Sequence, residues 1–477
     1  VRTERDCFGR EVRKSVRSGG IEKGAYRYQW GIANRLLSKE NELTGTVTRY
    51  DYDRFDFLIR QETMQGSETD VIYRTPDFVG NLFETPDKKD RKYGAGGKLL
   101  EDPDCFYHYD DEGNLIFREF KQLQETGVRF DRKRMEKERG IRCLATGTGW
   151  LYEWSSNGML KKVIRPDGRP VEFRYDALGR RTAKQYFGKI TRWVWDGNVP
   201  IHEWDYKATD MQPDEEESIP PKEPTKDITT WVFEAGTFVP TAKMQDGKQY
   251  SIVFDYLGTP IQMYNEQGDK TWDCTLDIYG KVLTVNKGSE FDCPFRWAGQ
   301  YFDSETNLCY NRYRYYSPET GSYLSQDPIR LSGNNPTLYA YVHDPNTWLD
   351  PFGLECSAAQ RKANKANGKK AEDLIYNKLS NNPNVEILGR QVTVHTEKGV
   401  RYVDVLIRNK KTGKIVAVEV KSGNAKRSGK QISKDDIINS GSGTFGENGF
   451  SDSNNPLIGT STANTTTSVT QVPLWKI

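Results

Sequence analysis

The chain has 477 residues, 35% of them hydrophobic and 12% aromatic, with 42 Gly, and its 69 Lys and Arg nearly balance 67 Asp and Glu. That length exceeds what one core usually supports, and an apolar-poor composition rich in Tyr, Trp and Gly favours many short strands joined by tight turns over packed helices. Seven scattered cysteines without a CxxC pair indicate neither a disulfide framework nor a zinc site, and no run of about 18 apolar residues is present to cross a membrane.

The cysteine pattern fits assembly in a reducing cytoplasm. The first residues, Val1-Arg2-Thr3-Glu4, carry no signal-peptide pattern, so export would need other machinery. Charge is spread unevenly: residues 355–477 hold 19 Lys and Arg against 11 Asp and Glu, a net of +8, while the rest of the chain carries −6. A separate basic unit is what a polyanion-binding domain needs.

In chain order, a short unit recurs. Tyr50-Asp51-Tyr52-Asp53 precedes Leu58-Ile59-Arg60, Tyr107-His108-Tyr109-Asp110 precedes Gly113-Asn114-Leu115, and Phe173-Arg174-Tyr175-Asp176 precedes Leu178-Gly179-Arg180-Arg181. Alternating aromatics share one face of a strand, Asp starts a turn and Gly allows its positive φ, which predicts β-hairpins stacked into an extended curved sheet. Lys121 to Ile141 interrupts the array with a charged, helix-permissive stretch, and Asp214 to Lys226 reads as a solvated loop.

These units resemble the Rhs/YD-repeat family over roughly residues 26–354. The resemblance is strongest from Arg296-Trp297-Ala298-Gly299-Gln300-Tyr301-Phe302-Asp303 through Arg312-Tyr313-Arg314-Tyr315-Tyr316-Ser317-Pro318-Glu319-Thr320-Gly321. It implies a mainly β YD-repeat shell, cocoon-like, that encloses its own C-terminal domain.

Asp327-Pro328, Asp344-Pro345 and Asp350-Pro351 crowd the end of this body, and each alone reads as a turn opener. The string from Asp344 to Leu354 is similar to the family's autoproteolysis motif, which implies cleavage of the Leu354–Glu355 bond by an aspartyl-protease-like pair. Two carboxylates held close cannot both ionise comfortably, so one serves as acid and the other as base on water. Asp327 and Asp350 are the preferred pair, Asp344 is the reserve and Arg314 the partner that keeps one carboxylate charged. Some family members have Asp where Ser317 stands; Ser317 could still orient water.

After Leu354 the pattern predicts a helix over Ala358 to Ser380 and two strands, Val400 to Arg408 and Ile415 to Lys421. Alternation sets Tyr402, Asp404 and Leu406 on one face against Val403, Val405 and Ile407, and Ala417, Glu419 and Lys421 on one face against Val416, Val418 and Val420. Asp404 with Glu419-Val420-Lys421 resembles the PD-(D/E)xK nuclease core, giving a small α/β nuclease-like domain. That resemblance implies that Asp404 and Glu419 bind Mg²⁺ or Mn²⁺, that Lys421 orients water or stabilises the transition state, and that Glu372 and Gln431 assist. Lys369, Lys370, Lys426, Arg427 and Lys430 are candidate phosphate contacts. With His395 the sole histidine after Leu354, two-histidine and His-metal nuclease mechanisms are poorly supplied.

The organisation expected is therefore a YD-repeat shell over 1–295, a closing and autoproteolysis segment over 296–354 and a nuclease toxin domain over 355–477, together the C-terminal portion of a longer effector. The resemblance implies a bacterial effector carried by type VI or related secretion with a spike and chaperone, a DNA substrate in the target cytoplasm, and a cognate immunity protein. Two alternatives stay open: an RNase on the same scaffold, and a non-enzymatic YD-repeat adhesion protein.

Overall fold

The computed structural model describes residues 1–125, 127–210, 223–330, 337–354, 358–422 and 429–472, with the side chains of 33, 358–368, 422, 429–430 and 471 left out. The chain divides into two compact units, Val1–Glu4 with Glu11–Ser357, and Arg5–Arg10 with Ala358–Ile477.

The first unit is built from hairpins. A seven-stranded sheet spans Arg2 to Tyr73 and a sixteen-stranded sheet spans Lys92 to Lys287, and in both each strand pairs with its neighbour in sequence. The turn chemistry explains the repeat. Asp176 Oδ1 accepts the N–H groups of Leu178 at 2.9 Å and Arg180 at 2.8 Å, and Gly179, at φ +74°, donates its N–H to the Asp176 carbonyl at 2.9 Å. Asp110, Asp255 and Asp277 close their turns in the same way. The register shifts one residue before the Asp, at Tyr109, Tyr175 and Phe254, a bulge that turns the aromatic ring back toward the preceding hairpin. Tyr52 and Tyr175 donate to the carbonyls of Leu36 at 3.0 Å and Leu160 at 2.7 Å. The Tyr-Asp pair thus both turns one hairpin and fastens it to the one before.

Within Lys121 to Ile141 one helix forms, Arg132–Arg139, capped by the Asp131 side chain and ended by Gly140 at φ +65°. Most of the Asp214 to Lys226 loop lies outside the described residues. The closing segment folds into a four-stranded sheet between Tyr301 and Tyr323. Its Leu308, Tyr310, Tyr315 and Leu324 pack with Leu115, Tyr152, Leu160 and Phe173 of the hairpins in one core.

The second unit is α/β. Its elements are α1 (Ala358–Ser380), β1 (Val385–His395), β2 (Arg401–Asn409), β3 (Ile415–Ser422), α2 (Gly429–Asn439), β4 (Thr444–Phe445) and β5 (Thr465–Val472). The sheet runs β4-β1-β2-β3-β5, with β5 parallel to β3. Ala371 and Ile375 of α1 pack on Val405, Ile407, Val418 and Val420. A second cluster gathers Leu388, Val392, Val403, Leu406 and Ala417 with Ile438 of α2.

One expectation needs correcting. Val403 packs with Leu406, whereas Val405 and Ile407 pack together in the other cluster, so strict alternation fails at the start of β2. The paired register of β2 with β3 ends at Val405 opposite Val418. Beyond it the Val420 N–H is taken by the Asp404 side chain at 2.7 Å. The two strands part where the acidic residues lie.

Candidate functional sites

The first site surrounds Arg314, whose side chain is 1% exposed on the strand Arg314–Ser317 of the closing sheet. One guanidinium nitrogen, Nη2, donates to Asp327 Oδ2 at 3.2 Å and to Asp350 Oδ2 at 3.4 Å. Its Nε donates to the Gly353 carbonyl, and its plane lies over the Tyr323 ring at 3.6 Å. Asp350 also accepts the Tyr323 hydroxyl at 2.8 Å and, through Oδ1, the Leu354 N–H at 2.8 Å. Gly353 lets the chain fold back here. Its φ is +67°, and a Cβ would stand 2.6 Å from the Asn311 carbonyl oxygen.

Thus Arg314, Asp327, Asp350 and Leu354 meet, while Glu355 lies outside the described residues. The structure does not bring Asp344 into this group. Asp344 opens its own turn, accepting from the Thr347 hydroxyl at 2.5 Å and the Asn346 N–H at 2.9 Å, and burial raises its pKa. Ser317 is three residues from Arg314 on one strand and so points to the opposite face of the pleat. Tyr323 and Tyr341, whose hydroxyl accepts the Asp350 N–H at 3.3 Å, complete the cage and carried no sequence signal beyond being aromatic.

The second site lies where β2 and β3 part. Glu419 Oε1 meets Lys421 Nζ at 2.6 Å and Gln431 Nε2 at 3.1 Å, and its Oε2 meets Arg401 Nη2 at 2.7 Å. Asp404 accepts the Val420 N–H on one oxygen and Gln391 Nε2, at 3.1 Å, on the other. The same Gln391 nitrogen donates to Glu372 Oε2 at 3.0 Å. Burial first, then the charges of Glu419 and Glu372, push the Asp404 carboxyl up to about 6 against the pull of the Val420 N–H. All five residues expected at the nuclease site therefore gather where β2 and β3 part.

Sequence reading missed three more. Gln391 sits in β1 at φ +50° and reaches both Glu372 and Asp404. Arg401 is held by Asp435 of α2, Nε to Oδ1 at 2.8 Å. Nothing in a single sequence marks a left-handed Gln inside a strand or an ion pair 34 residues apart. Lys369 and Lys370 are exposed on α1, whereas Lys426, Arg427 and the Lys430 side chain lie outside the described residues.

Among the described residues no three Asp, Glu, His or Cys side chains close into a ready-made metal cage. The donor set still suits a hard divalent ion. Asp404 and its acidic neighbours supply carboxylate oxygens whose mutual repulsion a cation would relieve, and Mg²⁺ commonly takes one or two protein carboxylates with water completing its shell. No helix among the described residues is long and apolar enough to cross a membrane.

Residues 6–340 match the Teneurin YD-shell family. The chain is 27% identical over 401 residues to the probable deoxyribonuclease RhsA of Dickeya dadantii, an alignment covering 77% of this chain and 26% of that protein. It is 30% identical over 376 residues to the probable deoxyribonuclease RhsB of the same organism, covering 73% and 24%. It is 29% identical over 385 residues to the double-stranded DNA deaminase toxin A of Burkholderia cenocepacia, covering 75% and 25%. A Tc holotoxin pore structure from Photorhabdus luminescens aligns over 75% of this chain and 21% of that one, with 18% identity and a TM-score of 0.35. The chain spans about a quarter of the length of these curated relatives. With more than half its residues matched by the family and its hairpins fastened by the repeated Tyr-Asp pair, this chain belongs to the Teneurin YD-shell family and is of Rhs/YD-repeat type.

Proposed function

We propose that the chain belongs to an antagonistic bacterial Rhs effector that cuts itself after Leu354 and releases a Mg²⁺-dependent nuclease acting on DNA, restrained in its producer by an immunity protein. The observation that carries the nuclease reading is the meeting of Asp404, Glu419, Lys421 and Gln431 at the parting of β2 and β3. The names of two relatives, both probable deoxyribonucleases, favour DNA over RNA.

Asp404 and Glu419 would hold the divalent ion, which when bound neutralises phosphate charge and acidifies its water. Lys421, 17% exposed and 2.6 Å from Glu419, would hold a water or stabilise charge on the phosphate. Gln431, between Lys421 and Glu419, aligns both. Deamination, named for one relative, needs a zinc set of His and Cys, and residues 355–477 contain one of each, His395 and Cys356.

In the self-cleavage reading, whichever of Asp327 and Asp350 is protonated donates to the departing Glu355 nitrogen while the other takes a proton from the attacking water. The Leu354–Glu355 C–N bond breaks and a C–O bond forms. Asp350 supports this role by holding the Leu354 N–H directly.

The test is to incubate the full chain, Asp350→Asn and Glu419→Ala/Lys421→Ala with plasmid DNA and total RNA, with Mg²⁺ or EDTA, and to weigh the protein fragments. The reading expects a break at Leu354 absent from Asp350→Asn and Mg²⁺-dependent DNA loss absent from the double variant. Intact DNA at every Mg²⁺ concentration with wild-type chain already cut would end the nuclease reading.

A further inference from the structure

We infer that Arg401 is a positioning residue that orients Glu419 and sets a positive charge beside it, so that the second unit aligns this carboxylate for catalysis at the expense of cation affinity. The inference rests on the nuclease reading of this site.

Arg401 opens β2 and is 6% exposed. All its nitrogens are used. Nη2 donates to Glu419 Oε2 at 2.7 Å, Nε to Asp435 Oδ1 at 2.8 Å and Nη1 to the Tyr402 carbonyl at 2.5 Å. The planar fork therefore bridges a carboxylate on β3 and one on α2, and neither can shift without the other. Gln431, one helical turn from Asp435, holds the remaining Glu419 oxygen with Lys421. Glu419 is thus held at Oε1 by Gln431 of α2 and at Oε2 by Arg401 of β2, itself tied to Asp435 of α2.

The charge follows from the same geometry. Glu372, Asp404, Glu419 and Asp435 carry four negative charges when ionised; Lys421 and Arg401 return two positive ones, and Arg390 stands 3.9 Å from Glu372. Arg401 is the counter-ion at Glu419 Oε2, 2.7 Å away, as Lys421 is at Oε1, 2.6 Å away. At such distances a fixed positive charge opposes a cation strongly in a buried setting. Lys421 has a proposed part in catalysis. Arg401 is buried and spends its nitrogens on Glu419, Asp435 and the Tyr402 carbonyl, so its effect passes through Glu419.

This separates two measurable quantities. Removing the Arg401 charge should tighten divalent binding while loosening Glu419, so affinity rises as turnover falls. A purely structural arginine would lower both together.

The experiment uses the full chain with Arg401→Gln, Arg401→Lys and Asp435→Asn. Mn²⁺ binding is followed by calorimetry without nucleic acid, DNA cleavage at saturating Mn²⁺ by gel, and folding by thermal melting. Arg401→Gln is expected to bind Mn²⁺ about tenfold tighter and to cleave at least tenfold more slowly. Arg401→Lys keeps the charge and should keep wild-type Mn²⁺ affinity while losing rate, because Lys cannot hold both carboxylates. Asp435→Asn should lose rate with Arg401 still present. Unchanged or weaker Mn²⁺ binding in a folded Arg401→Gln chain overturns the inference; should that variant not fold, wild-type turnover in Arg401→Lys and Asp435→Asn overturns it. A wild type that binds Mn²⁺ but cleaves no nucleic acid, with the tightening still seen in Arg401→Gln, sinks the nuclease reading and leaves the charge-setting role.

Discussion

Glu119 shows how a single buried charge organises a loop of the shell. Its carboxylate, fully buried, meets His108 Nε2 at 3.1 Å and accepts the N–H groups of Leu144 at 2.7 Å, Ala145 at 2.9 Å and Gly147 at 2.9 Å. Burial opposes ionisation, but His108 and the three N–H donors outweigh it and bring the pKa from 4.5 down to about 2. A depressed carboxyl stabilises the fold above its unfolded value and loses that contribution as pH falls toward the folded value. Glu119 should therefore cost the shell about 3 kcal/mol between pH 5 and pH 2. Urea melts at stepped pH check this: Glu119→Gln should be less stable near neutrality and show a flatter acid limb, and limbs of equal slope would refute the assignment. A second residue-scale contrast separates Asp344 from Asp350. Asp344→Asn keeps an acceptor for its own turn and should leave self-cleavage unchanged, whereas Asp350→Asn and Asp327→Asn should each stop it, as read from fragment masses.

At the scale of elements, the turn Asp350 to Leu354 depends on one glycine. Gly353→Ala would force a side chain to φ +67° and bring its Cβ to 2.6 Å from the Asn311 oxygen, with about 1–3 kcal/mol of strain. The turn should open, moving the Leu354 N–H from Asp350, and the chain should remain uncut or be cut at least tenfold more slowly while the hairpin sheets keep their circular dichroism. Uncut chain with the sheets lost would instead mean a folding defect. The hairpins were legible because their signal is local: Asp, Gly and the preceding aromatic lie within five residues. α1, β2 and β3 were legible from composition and local apolar pattern, though the faces of β2 were not, because its alternation breaks at Asp404. β1 was not legible, because Gly389-Arg390-Gln391 interrupts its apolar pattern and Gln391 adopts φ +50°. The nuclease-like residues were found from their types and spacing, but their setting was not. Arg401 and Asp435 meet only because α2 folds back against β2, and Asp344, the reserve for the pair Asp327 and Asp350, stands apart because its own turn takes its carboxylate.

For the shell as a whole, the question is whether it behaves as a string of hairpins or as one closed body. A linear array with contacts only between neighbours melts in pieces. Here the closing sheet reaches far back along the chain. Asp303 is fully buried and binds Arg181 through both oxygens and Lys184 at 3.0 Å, across 122 and 119 residues respectively. Arg91 donates to the Thr320 carbonyl at 2.8 Å, and Arg74 to that of Val342 at 2.7 Å. Such fasteners make early hairpins depend on late ones. Asp303→Asn leaves a buried Arg and Lys without their carboxylate, which should cost about 3–5 kcal/mol because the stranded charges cannot be rehydrated in place. If the shell is one closed body, that loss should appear as a single downshifted transition, seen alike by tryptophan fluorescence and by protection of amides in the hairpins before Phe120. Amides there that keep wild-type protection while the region around Arg181 opens would show that the hairpins unfold independently and that the closing sheet only caps them.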